Sequence, residues 1–177
     1  MRFLFLSILA LTASPLASLR ATTLEKLSVD QMISKSNYIV RAKVISSSGL
    51  LYNRNIYTKF SLQIIESLKG SASPSMEVLV PGGTVNGMSQ SIAGTPKLAL
   101  GSEMVLFLWQ SPKGQLLVIG MQQGAFDLQK DSTGQQFITR NAISDATVLD
   151  QATLVAQSDA GVTMALSELK RRIGASK

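Results

Sequence analysis

The sequence predicts a mainly β domain, α+β by content, in which antiparallel strands coil into a closed or nearly closed barrel. A short helix precedes the barrel and another ends the chain. Three observations predict this. Apolar residues alternate over Tyr38–Val44 and Ile56–Leu68. Two apolar runs, Met104–Trp109 and Leu116–Met121, surround a turn. A helical face appears only near each end.

The first helix is announced by Ser28-Val29-Asp30-Gln31. This pattern matches a capping box, with Ser28 as N-cap and Gln31 at N3, and a helix to about Ser36 follows. From Tyr38 the period becomes two: Tyr38, Val40, Ala42 and Val44 share one face. Ile56, Thr58, Phe60, Leu62, Ile64 and Leu68 share the dry face of the next strand, which Glu66 interrupts. That strand is long enough to require a bend or bulge. Lys69-Gly70 and the Ser/Pro cluster to Ser75 make a turn, and Met76, Val78 and Val80 form a third strand stopped by Pro81-Gly82-Gly83.

Residues 82–100 read as one irregular stretch, long for a loop without a task. The runs 104–109 and 116–121, around Ser111-Pro112-Lys113-Gly114, read as a central hairpin buried on both faces. Phe126 and Leu128, then Phe137 and Ile138, flank Asp131-Ser132-Thr133-Gly134 as a more exposed hairpin. Residues 142–157 show weak periodicity. A terminal helix is expected from about Ala160 to Ile173, because Val162, Leu166, Leu169 and Ile173 fall on one face. Lys170, Arg171 and Arg172 suit its C-terminal dipole; attraction to a membrane surface is the other reading.

Residues 1–21 read as an export signal. Arg2 precedes the apolar run Phe3–Leu11, and small residues follow to Ala21. Cleavage is expected after Ala17 or Ala21, the alternative being a retained anchor. No other segment reaches 18 apolar residues, so the mature part is expected to be soluble, periplasmic or secreted. The expected organisation is therefore a signal at 1–21, a barrel domain at 22–140 and an extension with a terminal helix at 141–177. Removing Arg2 and Arg20 from seventeen basic residues leaves fifteen against eleven acidic ones, a net +4. That excess suits an anionic surface or mere solubility.

The chain has 177 residues and contains neither Cys nor His. Disulfides, thiol nucleophiles, Cys-ligated metals and Ser-His-Asp catalysis are excluded. A Ser/Lys dyad or paired carboxylates remain, and Glu66 is the acid best placed for a pocket, although a plain ion pair with Lys or Arg is the simpler role. No catalytic, cofactor or metal residue is assigned. The glycine-rich loop lacks the Lys-Ser/Thr ending of a P-loop. Its candidate contacts to a partner are Gly82, Gly83, Asn86, Met88, Gln90 and Lys97, and the candidate rim contacts are Tyr57, Lys59, Glu66 and Trp109. Tyr52, Arg54, Tyr57 and Lys59 also resemble the stacking and basic set with which oligonucleotide/oligosaccharide-binding (OB) barrels hold single strands, but an exported protein is not expected to meet nucleic acid.

The order of segments carries a resemblance. It runs through Ser36-Asn37-Tyr38-Ile39-Val40-Arg41-Ala42-Lys43-Val44, Tyr57-Thr58-Lys59-Phe60-Ser61-Leu62, Glu66-Ser67-Leu68-Lys69-Gly70, Val78 to Gly83, and Gly101-Ser102-Glu103-Met104-Val105-Leu106-Phe107-Leu108. This resembles netrin-like domains, the group that includes tissue inhibitors of metalloproteinases. Over about residues 28–128 it also resembles small exported bacterial proteins with Pro-Gly-Gly after the third strand and a Gln-Gly-x-Phe segment, here Gln123-Gly124-Ala125-Phe126. The resemblance implies an OB-like five-stranded barrel with an extra hairpin. Inhibitors of that class hold the target's zinc through an N-terminal Cys, which this chain lacks, so no functional residue transfers. The expected function is an exported, non-catalytic binding or scaffold domain, most simply for another envelope or secreted protein. The alternatives are a carrier of a small apolar or glycan ligand, with a cavity lined by even-numbered residues of strand 56–64, and a carboxylate-based hydrolase.

Overall fold

The computed structural model describes residues 22–176; the segment expected to be an export signal, with its expected cleavage sites, lies outside the described residues. Strand β1 (Thr23–Glu25) leads to helix α1 (Val29–Lys35). Its capping box forms as expected: the Gln31 amide donates to Ser28 Oγ at 3.2 Å and the Ser28 amide to Gln31 Oε1 at 2.8 Å. The chain continues through β2 (Tyr38–Tyr52), β3 (Asn55–Lys69), β4 (Ser75–Pro81), β5 (Gly83–Val85), β6 (Met88–Gln90), β7 (Glu103–Gln110) and β8 (Leu116–Val118). A 3-10 turn (Met121–Gly124) precedes β9 (Ala125–Lys130), β10 (Gln136–Arg140), β11 (Thr147–Leu149), β12 (Ala156–Gln157), β13 (Val162–Ala165) and helix α2 (Leu166–Ala175). No helix among the described residues is long and apolar enough to cross a membrane.

Eight strands form one sheet in the order β13-β10-β9-β7-β2-β3-β4-β8, with β8 also pairing β7. Three short strands, β1-β11-β12, make a second sheet, and β5-β6 a two-stranded ribbon. The expected bend appears as register shifts between β2 and β3, where Ile45, Ile65 and Leu68 stand opposite no partner.

The expected barrel is corrected. Pairings do run in a five-strand ring, but the ring is not curled into a barrel. β8 has three residues and meets β4 through the single parallel pair Leu79↔Leu117, too little ladder to seam a barrel. Three further strands carry the sheet on beyond β7. The fold is a mixed α+β structure around an open sheet, and the OB-like and netrin-like assignments fall with the barrel.

Both faces of the sheet are covered, and β7 shows why its sequence is continuously apolar. Met104, Leu106 and Leu108 point into one core with Val40, Ala42, Phe60, Leu62 and Val78. Val105 and Phe107 point into a second core with Ile39, Phe126, Ile138 and residues of both helices. A strand covered on both sides cannot alternate. The pair Phe126 and Ile138 is fully buried rather than exposed, because α2 packs over β10.

The C-terminal helix starts later than its periodicity predicts. Leu166, Leu169 and Ile173 form its buried face, but Val162 belongs to β13, paired with Arg140 of β10. Pairing with an available strand edge decides the conformation of those four residues. Glu66 on β3 and Asp30 on α1 anchor α2 through Lys170 (2.6 Å) and Arg172 (3.5 Å).

Candidate functional site

The stretch read as an irregular loop is largely built. After Pro81 the chain turns through Gly82 (φ 88°) and Gly83 (φ 124°). Gly83 is required twice: its φ suits glycine, and a Cβ there would overlap Thr58 Oγ1. Thr58 Oγ1 donates to the Gly82 carbonyl at 2.8 Å. Asn86 (φ 50°) and Gly87 (φ 76°) then form the two-residue turn that joins β5 to β6. The hydroxyls of Thr84 and Ser89 meet at 2.9 Å across this ribbon.

The ribbon is stitched to β3 at Ile56. The Ile56 amide donates to Gln90 Oε1 at 2.7 Å, and the Gly82 amide donates to the Ile56 carbonyl at 2.8 Å. Beyond β6, Thr95 Oγ1 donates to the Ile92 carbonyl at 2.6 Å, and the Gln122 amide donates to the Gly94 carbonyl at 2.9 Å. Buried Leu98 returns the chain to the core.

Between this segment and the sheet lies an open pocket of about 580 Å³. Phe60, Val80, Ile92 and Leu98 give it apolar walls; Thr58, Ser89, Gln90, Ser91, Lys97 and Asp145 add polar groups. A second, more polar pocket of about 370 Å³ adjoins it and shares Lys97 and Asp145. Asp127, Gln122, Arg140, Asn141 and Ser144 also line this chamber. Lys97, Asp127 and Asp145 are exposed, and their side chains make no ion pair or hydrogen bond among the described residues.

One wall of the polar chamber is fixed by a buried ion pair. Arg140 and Asp159 have side chains 4% and 8% exposed, and the guanidinium holds the carboxylate with two nitrogens. The Ile143 amide donates to the same carboxylate at 2.8 Å. Burial pushes the Asp159 carboxyl up, but the hydrogen bonds from Arg140 and Ile143 and the guanidinium charge outweigh it, leaving the group below its ordinary 3.8. Arg140 Nε is buried without a partner among the described residues.

The candidate residues separate into two sets. Gly82, Gly83, Gln90 and Lys97 line the larger pocket, while Asn86 and Met88 stand on the ribbon above it, with Met88 49% exposed. The rim candidates do not join them. Tyr57 and Lys59 lie beside Thr58 and Phe60 but do not line the pocket, and Lys59 pairs with Glu77 at 3.0 Å. Glu66 is bound by Lys170. Trp109 lines a separate pocket of about 210 Å³ with Leu79 and Leu117. The Lys113 ammonium lies 5.7 Å from the centroid of the Tyr52 ring. Sequence reasoning missed the ribbon, although Asn86-Gly87 is a strong hairpin signal. It also missed the grouping of Asp127, Arg140, Asp145 and Asp159, which come together only in three dimensions.

The Gln-Gly-x-Phe segment has a structural role. Gln123 is 2% exposed; its Nε2 donates to the Glu25 carbonyl at 2.8 Å and its Oε1 accepts from the Leu27 amide at 2.8 Å. The 3-10 turn thereby clamps the segment between β1 and α1. Among the described residues no Ser hydroxyl bonds to a Lys ammonium, and no three acidic side chains gather to hold a metal ion.

No family model matches the chain, and no curated protein does. The resemblance to netrin-like domains and to the exported bacterial group therefore has no support from either comparison, and the open sheet removes its structural basis.

Proposed function

We propose that this chain is an exported, non-catalytic binding module, and that the pocket under the β5–β6 ribbon receives an extended segment of another protein. One observation carries the reading: residues 82–99 are built over an open pocket of about 580 Å³ with apolar walls and with the side chains of Ser91, Lys97 and Asp145 unengaged among the described residues. A pre-formed concave surface of this kind is the default location of a binding site. The Gln90 and Thr58 bonds hold the ribbon before any partner arrives, which lowers the ordering cost of association. Export rests on the composition of residues 1–21.

The test is to pan a random heptapeptide library displayed on phage against the immobilised full chain. Selected peptides should bind the wild type and lose binding to Gly49→Val, which displaces the ribbon. Equal binding to both proteins contradicts the reading. Export is tested separately, by comparing the cytosolic fraction of the full chain with that of a chain lacking residues 2–21.

A small apolar or glycan ligand is the second reading, favoured by Thr58 and Phe60, even-numbered residues of β3, lining a pocket within the roughly 300–1,000 Å³ typical of such sites. Titration with soluble oligosaccharides or a medium-chain fatty acid, followed by NMR, should then shift Phe60 and Leu98; shifts at neither residue remove it.

A further inference from the structure

The two pockets adjoin at Lys97 and Asp145, which line both, so that an apolar end and a charged end lie side by side. At the apolar end stand Phe60, Ile92 and Leu98. The charged end is lined by two carboxylates, Asp127 and Asp145, and one ammonium, Lys97. Arg140, the remaining charge there, is already neutralised by Asp159. The charged end therefore has one negative charge in excess, although the whole chain is at +6. Neither carboxylate is engaged by another side chain among the described residues.

We infer that this pair of pockets selects, in an extended segment of a partner protein, one apolar side chain together with one basic side chain. This rests on the peptide-binding reading above and adds its specificity. The apolar side chain enters between Phe60 and Leu98, where it removes apolar surface from water. The Lys or Arg of the partner lies between Asp127 and Asp145 and balances the excess charge. An acidic side chain in that position meets two carboxylates against one ammonium and is rejected. Selection of this kind also discriminates the partner from the many acidic chains that the basic surface attracts at long range.

The experiment uses the full chain and capped heptapeptides without terminal charges, titrated by NMR. One peptide carries a leucine and a lysine; a second replaces the lysine with glutamate; a third replaces the leucine with glycine. The Leu/Lys peptide should bind most tightly, and the glutamate peptide about tenfold or more weakly. In the exposed-site variant Asp127→Asn/Asp145→Asn, whose circular dichroism should match the wild type, that preference should shrink to about threefold or less. Equal affinity for lysine and glutamate peptides, both lost in Gly49→Val, overturns the charge selection and leaves the pocket as a peptide site. Tighter binding of the glutamate peptide overturns it as well, because Lys97 would then dominate. Binding of none of the peptides overturns both the selection and the reading on which it rests.

Discussion

A side-chain carbon at Gly49 of β2 would overlap the carbonyl oxygen of Thr84 in β5. The long first hairpin is thus bare of side chain where the ribbon crosses it. This contact explains why a short, two-stranded piece that would be marginal alone is held in one place.

Gly49→Ala should push the ribbon off β2 while sparing the two cores, at a cost of about 1–3 kcal/mol. Hydrogen exchange should accelerate over residues 83–90 and stay unchanged over 104–108. Acceleration across the whole sheet would show that the ribbon is part of the cooperative core instead.

Phe107 is fully buried, with its ring centroid 5.5 Å from that of Phe126. Phe107→Ala should cost about 3–5 kcal/mol. A double-mutant cycle with Phe126→Leu should give a coupling of about 0.5–1.5 kcal/mol. Urea unfolding followed by intrinsic fluorescence measures both.

Gln123→Ala removes the amide that joins the 3-10 turn to residues 25 and 27. Leaving those part-buried backbone groups without partners should cost about 1–3 kcal/mol. Gln123→Glu should not rescue the loss, since a carboxylate cannot donate to the Glu25 carbonyl. Rescue by Glu, read from thermal midpoints, would contradict the assigned donor.

Removing one member of the Arg140–Asp159 pair should cost about 3–5 kcal/mol, because a buried charge is left alone. The paired change Arg140→Met/Asp159→Leu should cost less than either single change. The pair also sets a pH dependence. Asp159 titrates below 3.8 when folded, so its contribution is present above that value and fades as acid passes through the folded pKa. Glu168, held to about 2 by Arg171 and then Arg172, behaves likewise between 4.5 and 2. Thermal midpoints should be flat from pH 7 to about 5 and fall below about 4; Asp159→Asn should flatten part of that fall. A fall that begins near neutrality would contradict this origin.

How much was legible depends on how local each cause is. The Ser28–Gln31 capping box and the alternation of Ile56–Leu62 depend on neighbours in sequence, and both were readable. Val162–Ala165 was misread as helix because its strand state depends on pairing with Arg140 and Phe137, some 22 to 28 residues earlier. Barrel closure turned on the Leu79↔Leu117 contact, which no periodicity encodes. Among the pocket-lining residues, Gly82 and Gly83 were marked by turn chemistry, and Gln90 and Lys97 by lying in the same Gly/Pro-rich stretch. Asp127 and Asp145 were not, since they lie on β9 and on the segment before β11, and only the fold brings them beside Lys97.

The pocket beneath the ribbon is the place where this protein is proposed to meet its partner. Hydrogen exchange of the full chain, with and without a saturating phage-selected peptide, tests this most directly. Protection should concentrate at residues 83–98 and 142–145 and leave β13 and α2 unchanged. Protection along β13 or α2, with none at 83–98, would place binding elsewhere and contradict the account.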